Sequence, residues 1–245
     1  MENSLKILFE NKDFMVIDKQ SGLTVNHSDT TGNEVTLQDL ILQSGKTDTT
    51  GADEEFISRS GIVHRLDKET SGALIVAKNS QAFENLQAQF KERKVEKSYI
   101  ALSHGKILPE KGEINVPVGR LPWNRKRFGV LAGGRNAITS YRVISNFKFQ
   151  ISNETLSLVR LHPKTGRTHQ IRVHLKYINH PIFADPVYGG RKLARSDRKI
   201  LSRIFLHAEE ISFHDPKTNE TVNFKSKLPA DLKDLLEKLE PTSDN

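Results

Sequence analysis

The sequence predicts an α+β fold built on a largely antiparallel or mixed sheet. Short apolar runs outnumber amphipathic stretches, and few consecutive runs are separated by a helix of crossover length, so a doubly wound parallel sheet is not expected. Turn-forming residues also join neighbouring runs in hairpin fashion, as in Asn11-Lys12-Asp13 and Asp215-Pro216-Lys217-Thr218-Asn219.

Leu5–Phe9 and Phe14–Asp18 read as two strands around the first of those turns. Leu37–Leu42 fits one short helix, and Ser44–Glu55, which has no aliphatic side chain larger than alanine, reads as a mobile loop. Ala73–Ala77 fits a buried strand. In Ser80–Lys94, Ala82, Phe83, Leu86 and Phe90 share one face behind a cap at Asn79 or Ser80, which predicts a helix. Ser98–Leu102, Ile138–Ile144 and Thr155–Leu161 are strand-like, whereas Gly119–Asn136 breaks into no clear element and reads as a basic excursion. Thr168–Ile178 has helical spacing, with Gly166 and Thr168 as its start signal. Ile204–Phe213 and Thr221–Phe224 flank the second turn, and Pro229 opens a final amphipathic helix through Leu239. One domain over residues 1–245 is expected, with a frayed tail at 240–245.

The 245 residues contain no cysteine, which excludes disulfide scaffolds, thiolate metal sites and thiol enzymes. The longest apolar run, Ala73–Ala77, is too short to cross a bilayer, and the N-terminal residues lack a basic-then-apolar leader pattern, so a cytoplasmic protein is expected. Charge is unevenly placed. Residues 1–58 carry −7, whereas residues 114–184 carry twelve Lys and Arg against the single acid Glu154, or +11, more than the +7 of the whole chain. Such a segment suits a polyanionic partner, nucleic acid above all, or a solvated basic face.

Two polar clusters could carry chemistry. In Gly61–Gly72 (GIVHRLDKETSG), Arg65 and Asp67 would share a face if the stretch is extended, and Thr70-Ser71-Gly72 reads as a tight turn. The pair suits a salt-bridged strand end, or a carboxylate kept charged as nucleophile or electrostatic stabiliser. In Lys164–His174 (KTGRTHQIRVH), Gly166-Arg167-Thr168 would open a helix able to grip an anion, and Arg172 and Lys176 would share an outer basic face. His169 and His174 are five apart with no acid beside them, so no metal site is expected. Trp123 among Arg125, Lys126, Arg127 and Phe128 could stack bases and bind phosphate, or be a plain surface loop.

Taken in order, these segments resemble the RluA-type RNA pseudouridine synthases. LKILFENKDFMVIDKQSGLTV resembles the start of that catalytic domain, GIVHRLDKETSGALIVAKN its aspartate motif, KSYIAL its tyrosine motif and PKTGRTHQIRVHL its arginine motif; HPIFADPVYGG and LHAEEISFHDP resemble its C-terminal blocks. The resemblance implies two halves on one mixed, mostly antiparallel sheet with a basic central cleft. It implies Asp67 as catalytic carboxylate, Arg172 as its salt-bridge partner, Tyr99 stacked on the target base, and Arg65 filling the gap left by a flipped uridine. His64, Arg167, Gln170 and Ile171 would bind substrate, and Arg125, Lys126, Arg127 and Arg135 the RNA backbone. It further implies an isomerase that needs no cofactor and acts as a monomer on RNA, ribosomal before transfer RNA. The motif start within the first ten residues leaves no room for the N-terminal S4-type domain of many relatives. Gln20 and Ala184 depart from the pattern, standing where proline and glycine are common.

Overall fold

A computed structural model of the chain describes residues 5–27, 31–149 and 154–242. In chain order the elements are β1 (Ile7–Glu10), β2 (Phe14–Lys19), α1 (Leu37–Ser44), α2 (Glu54–Arg59), β3 (Ser71–Ala77), α3 (Ser80–Lys91), β4 (Glu96–His104), β5 (Lys111–Asn115), β6 (Val118–Leu121), β7 (Asn124–Val130), β8 (Ile138–Phe149), β9 (Glu154–Pro163), α4 (Gln170–Tyr177), α5 (Arg191–Asp197), β10 (Leu206–His214), β11 (Thr221–Lys225), α6 (Ala230–Glu237) and β12 (Glu240–Pro241). The expected α+β class holds. The chain forms two compact units, Met1–Lys97 with Ala208–Lys227, and Ser98–His207 with Leu228–Asn245. Among the described residues, no helix is long and apolar enough to cross a membrane.

In the first unit the strand order is β1-β2-β3-β10, with β11 on β10. β1 and β2 form the expected hairpin: the Asn11 side-chain oxygen accepts from the Asp13 and Phe14 N–H groups at 2.9 and 2.8 Å, which shapes the turn. β2 and β3 are buried along their whole length, which is why both read as continuous apolar runs. Helix α3 starts at Asn79, whose side chain caps Ala82 N–H, and lays Ala82, Phe83 and Leu86 into a core shared with Phe14, Ile75, Phe56 and Phe213. Helix α1 opens with a reciprocal capping box between Thr36 and Asp39. Within Ser44–Glu55, read as a loop, Asp53 caps α2 through the Phe56 N–H, and Phe56 is fully buried. This helix buries only Phe56, and its neighbour Ile57 is exposed, too little for a periodic signal.

In the second unit the order is β4-β9-β8-β12, with β5 also on β8. Its core gathers Ile100, Leu102, Val159, Leu161, Leu175, Phe183 and Phe205, closed by Leu232 and Leu235 of α6. The expected shapeless excursion at Gly119–Asn136 is instead a two-stranded antiparallel ribbon, β6 with β7. Its pattern is masked because, beyond the Val118–Val130 pair, the cross-strand partners are not aliphatic pairs. Glycine faces glycine at 119 and 129, and the Arg120 guanidinium stacks 5.2 Å from the Phe128 ring. Trp123 sits at the ribbon's turn, 76% exposed. Where a frayed tail was expected, Glu240 and Pro241 pair with Lys148 and Phe147; residues 243–245 lie outside the described residues.

Candidate active site

The aspartate segment lies in the first unit. It is not extended throughout. Ile62 makes one antiparallel bridge with Val76, and a turn closes where Thr70 N–H donates to the Asp67 carbonyl at 3.0 Å, three residues earlier than expected. Leu66 is buried and anchors the segment between exposed Arg65 and half-buried Asp67. The far side of the turn is tied down by Lys19. This lysine is 1% exposed and donates from Nζ to the carbonyls of Gln20, Leu23 and Lys68 at 2.9, 2.7 and 3.0 Å. Gly22 N–H also reaches the Lys68 carbonyl, and Ser21 Oγ the Glu69 carbonyl. The turn bearing Gln20 is thereby pinned. Gly72, at φ +117°, lets two backbones meet: a Cβ there would lie 2.2 Å from the Ala208 carbonyl oxygen.

His64, expected at the substrate, is a strut within this unit. Its Nε2 accepts from Ile75 N–H at 2.9 Å, and its ring stacks on Phe90 with centroids 4.7 Å apart. Burial, and secondarily the Lys97 charge, push its pKa down to about 3. The accepting Nε2 requires the same neutral ring. Lys97 Nζ lies 5.7 Å from the Phe90 centroid, and burial lowers its own pKa to about 8.

The arginine segment lies in the second unit. Helix α4 begins at Gln170, two residues later than expected, after His169 in the left-handed region at φ +56°. Arg172 was expected on an outer basic face with Lys176; it is 6% exposed, while Lys176 is exposed. Its Nε and one terminal nitrogen donate to the two oxygens of Asp185 at 2.7 and 2.9 Å. Asp185 is fully buried and also accepts from the Val187 and Tyr188 N–H groups at 2.9 and 3.0 Å. Burial pushes its carboxyl up, but the Arg172 hydrogen bonds and charge, with those two N–H groups, outweigh it and leave the pKa below the ordinary value. The guanidinium also lies 5.0 Å from the Tyr188 ring. Tyr188 Oη receives Phe128 N–H at 3.2 Å and meets His169 Nδ1 at 2.9 Å, linking α4 to the β6–β7 ribbon.

Gln170 and Ile171, expected to contact substrate, are both engaged within the second unit. The Gln170 amide oxygen accepts from Thr165 Oγ1 and Arg167 N–H, and its nitrogen donates to the Ile138 carbonyl and Thr139 Oγ1. Those four bonds use the amide's capacity. Ile171 packs in the second unit's core. Arg167 is half-buried and donates from Nε to the Asn136 carbonyl at 3.1 Å. His174 is buried against Thr139 and Val116, and burial lowers its pKa. Tyr99 is on β4 opposite Leu161 and packs, half-buried, on the same core. Arg127 and Arg135 are exposed; the side chains of Arg125 and Lys126, on β7, lie outside the described residues.

Sequence reading missed Lys19, Asp185 and Tyr188. A signal for Asp185 was present, because it is the only acid between Glu154 and Asp197, amid many cations. An acid so isolated is placed to pair with one of them.

Residues 13–177 match the family described as RNA pseudouridylate synthase. The chain belongs to that family. This pseudouridine synthase is 37% identical over 235 residues to the uncharacterized RNA pseudouridine synthase YlyB of Bacillus subtilis, covering 96% of this chain and 73% of that protein. It is 36% identical over 240 residues to ribosomal large subunit pseudouridine synthase D of Neisseria meningitidis serogroup B, covering 95% of this chain and 60% of that protein. Among solved structures, human RNA pseudouridylate synthase domain containing 1 superposes with a TM-score of 0.74 at 28% identity, over 98% of this chain and 89% of that one. The RluA-type resemblance is thereby supported, and with it an RNA-directed isomerase.

Proposed function

We propose that this cytoplasmic enzyme converts specific uridines of large-subunit ribosomal RNA to pseudouridine, with Asp67 as the catalytic carboxylate. The observation that carries the reading is the aspartate motif itself: HRLDKETSG sits on a turn that Lys19, Ser21 and Gly22 hold by its carbonyl groups. The Asp67 side chain is thus carried on a fixed loop and is partly open to solvent. Such support suits a group that must meet a reacting atom in one geometry. The ribosomal assignment draws support from the relative in Neisseria meningitidis, whose name specifies the large subunit.

The target base must leave the RNA stack, at a cost of about a few kcal/mol that is lowest in loops or distorted stems. Arg65 fills the vacated space, and cationic side chains including Arg127 and Arg135 offset the cost through phosphate contacts. Asp67 then opens the N1–C1′ bond. Uracil turns within the site, C5 bonds to C1′, the C5 proton leaves and N1 gains a proton. Substrate and product are isomers, so the scheme calls for no oxidant and no co-substrate. Tyr99 stacks on the base and accepts the C5 proton. The resemblance implies Arg172 in the catalytic set, and Asp185 holds its guanidinium through two hydrogen bonds. The uracil must be retained throughout, since its escape would leave an abasic site.

The test is tritium release from RNA labelled at uridine C5, comparing large-subunit ribosomal RNA fragments with transfer RNA. Release from ribosomal RNA alone is expected. Release from transfer RNA alone would reassign the substrate, and free uracil with abasic RNA would replace the isomerase by a glycosidase.

A further inference from the structure

A second cationic site lies in the second unit. A cleft of about 510 Å³ is lined by Arg127 of β7, by Pro186 and Val187, and by Arg191, Ala194, Arg195 and Arg198 on and after α5. Four of its lining residues are arginine and none is acidic. We propose that this cleft binds the phosphodiester backbone of the substrate RNA. The inference rests on the function proposed above for its ligand, and on the cleft for its location.

Three features support it. First, residues 191, 195 and 198 follow at i, i+4 and i+7, so they share one side of the helix and spread their charges over about 10 Å at 1.5 Å per residue. A stripe of that length suits a repeating polyanion better than one isolated phosphate. Second, the helix's own acid is turned away. Asp197 is 2% exposed and its carboxylate is held by His104 Nε2 at 2.9 Å and Ala184 N–H at 3.0 Å. The negative charge that would oppose an anion is therefore spent inside the core. Arg198 is fixed by bonds to the Ala184 and Ser202 carbonyls at 2.9 and 2.6 Å, so one guanidinium is held in place beforehand. Third, the Pro186–Val187 wall continues directly from Asp185, whose carboxylate takes the Val187 N–H while gripping Arg172. A strand lying in the cleft therefore runs along the same turn that holds Arg172.

The test is the affinity of a fluorescein-labelled 20-nucleotide oligouridine, measured by anisotropy between 50 and 200 mM salt. The proteins are the unmodified chain, R191A/R195A, R191K/R195K and, as a charge-matched control elsewhere, K217A/K225A. Each phosphate contact on a single strand contributes about 0.7 to the slope of log affinity against log salt. Loss of two contacts should flatten the slope by about 1.4 and remove about a sevenfold share of the affinity lost over that fourfold salt range. The lysine variant should keep most of the slope. An unchanged slope in R191A/R195A, or an equal loss in K217A/K225A, overturns the proposal. If the unmodified chain binds the oligomer with the expected slopes yet forms no pseudouridine in any RNA, the cleft stands and the catalytic reading fails.

Discussion

Asp185→Asn probes the pair on which the arginine segment is built. The carboxylate accepts four hydrogen bonds: Oδ1 takes Val187 N–H, Tyr188 N–H and a terminal Arg172 nitrogen, and Oδ2 takes Arg172 Nε. Asparagine is nearly isosteric. Its least costly orientation keeps oxygen at the Oδ1 position, which preserves three bonds and points an NH2 group at Arg172 Nε. What is lost is one charge-assisted bond and the counter-charge for a guanidinium that is 6% exposed. Removing one partner of a buried ion pair costs about 3–5 kcal/mol, and the three surviving bonds place this change near the lower end, about 3 kcal/mol. At about 2–4 °C per kcal/mol, the melting temperature should fall by roughly 6–12 °C. Calorimetry measures it, and Asp185→Asn combined with Arg172→Met should recover part of the loss, because no buried charge is then left facing an amide. A melting temperature within 2 °C of the parent would refute the reasoning. The pH dependence has a definite sign. The Asp185 pKa is depressed in the fold, so its contribution is present above the ordinary value of 3.8 and is lost as pH falls below it.

Three further outcomes follow from the structure. Gly72→Ala places a Cβ 2.2 Å from the Ala208 carbonyl oxygen at a φ of +117°, and should lower stability in denaturant titration by roughly 3–4 kcal/mol; a loss below 1 kcal/mol would contradict the close approach. His64 is neutral in the fold with a pKa near 3 against 6.5 for the free group, so stability should decline as pH falls from 6.5 toward 3. His64→Gln, which keeps an acceptor for Ile75 N–H, should flatten that decline, and an unaltered pH profile would remove His64 as its source. Ala184 stands at φ +61°, and Ala184→Gly should raise stability by roughly 0.5–1 kcal/mol, the relief of the left-handed backbone exceeding the added freedom of the unfolded chain. A loss of stability would show that the alanine methyl contributes more through packing.

Elements with a strong period or an obvious cap were legible in the sequence. β2 and β3 read correctly because burial on both faces demands uninterrupted apolar residues, and α3 because its four apolar positions fall on one helical face behind Asn79. The β6–β7 ribbon was not legible, since beyond Val118–Val130 its pairs are glycine with glycine, arginine with phenylalanine and leucine with asparagine, which follow no apolar alternation. Helix α5 escaped for a similar reason: its sequence RKLARSD has one small and one large apolar residue, and its buried Asp197 looks like surface until His104 is seen beside it. At the site, motif resemblance singled out Arg172 and Asp67. It could not separate groups that touch a substrate from groups that hold the turn. His64, Gln170 and Ile171 all make internal hydrogen bonds or core packing that the motifs alone do not announce. Ala184 was seen as a departure from glycine, and its positive φ gives the departure a physical meaning.

The most direct measurement of the central claim is single-turnover pseudouridine formation by Asp67→Asn on an RNA that the parent enzyme modifies, with RNA affinity measured on the same preparation. Loss of product with the parent's affinity is the expected result. Product formed at the parent's rate would show that the reaction runs without this carboxylate.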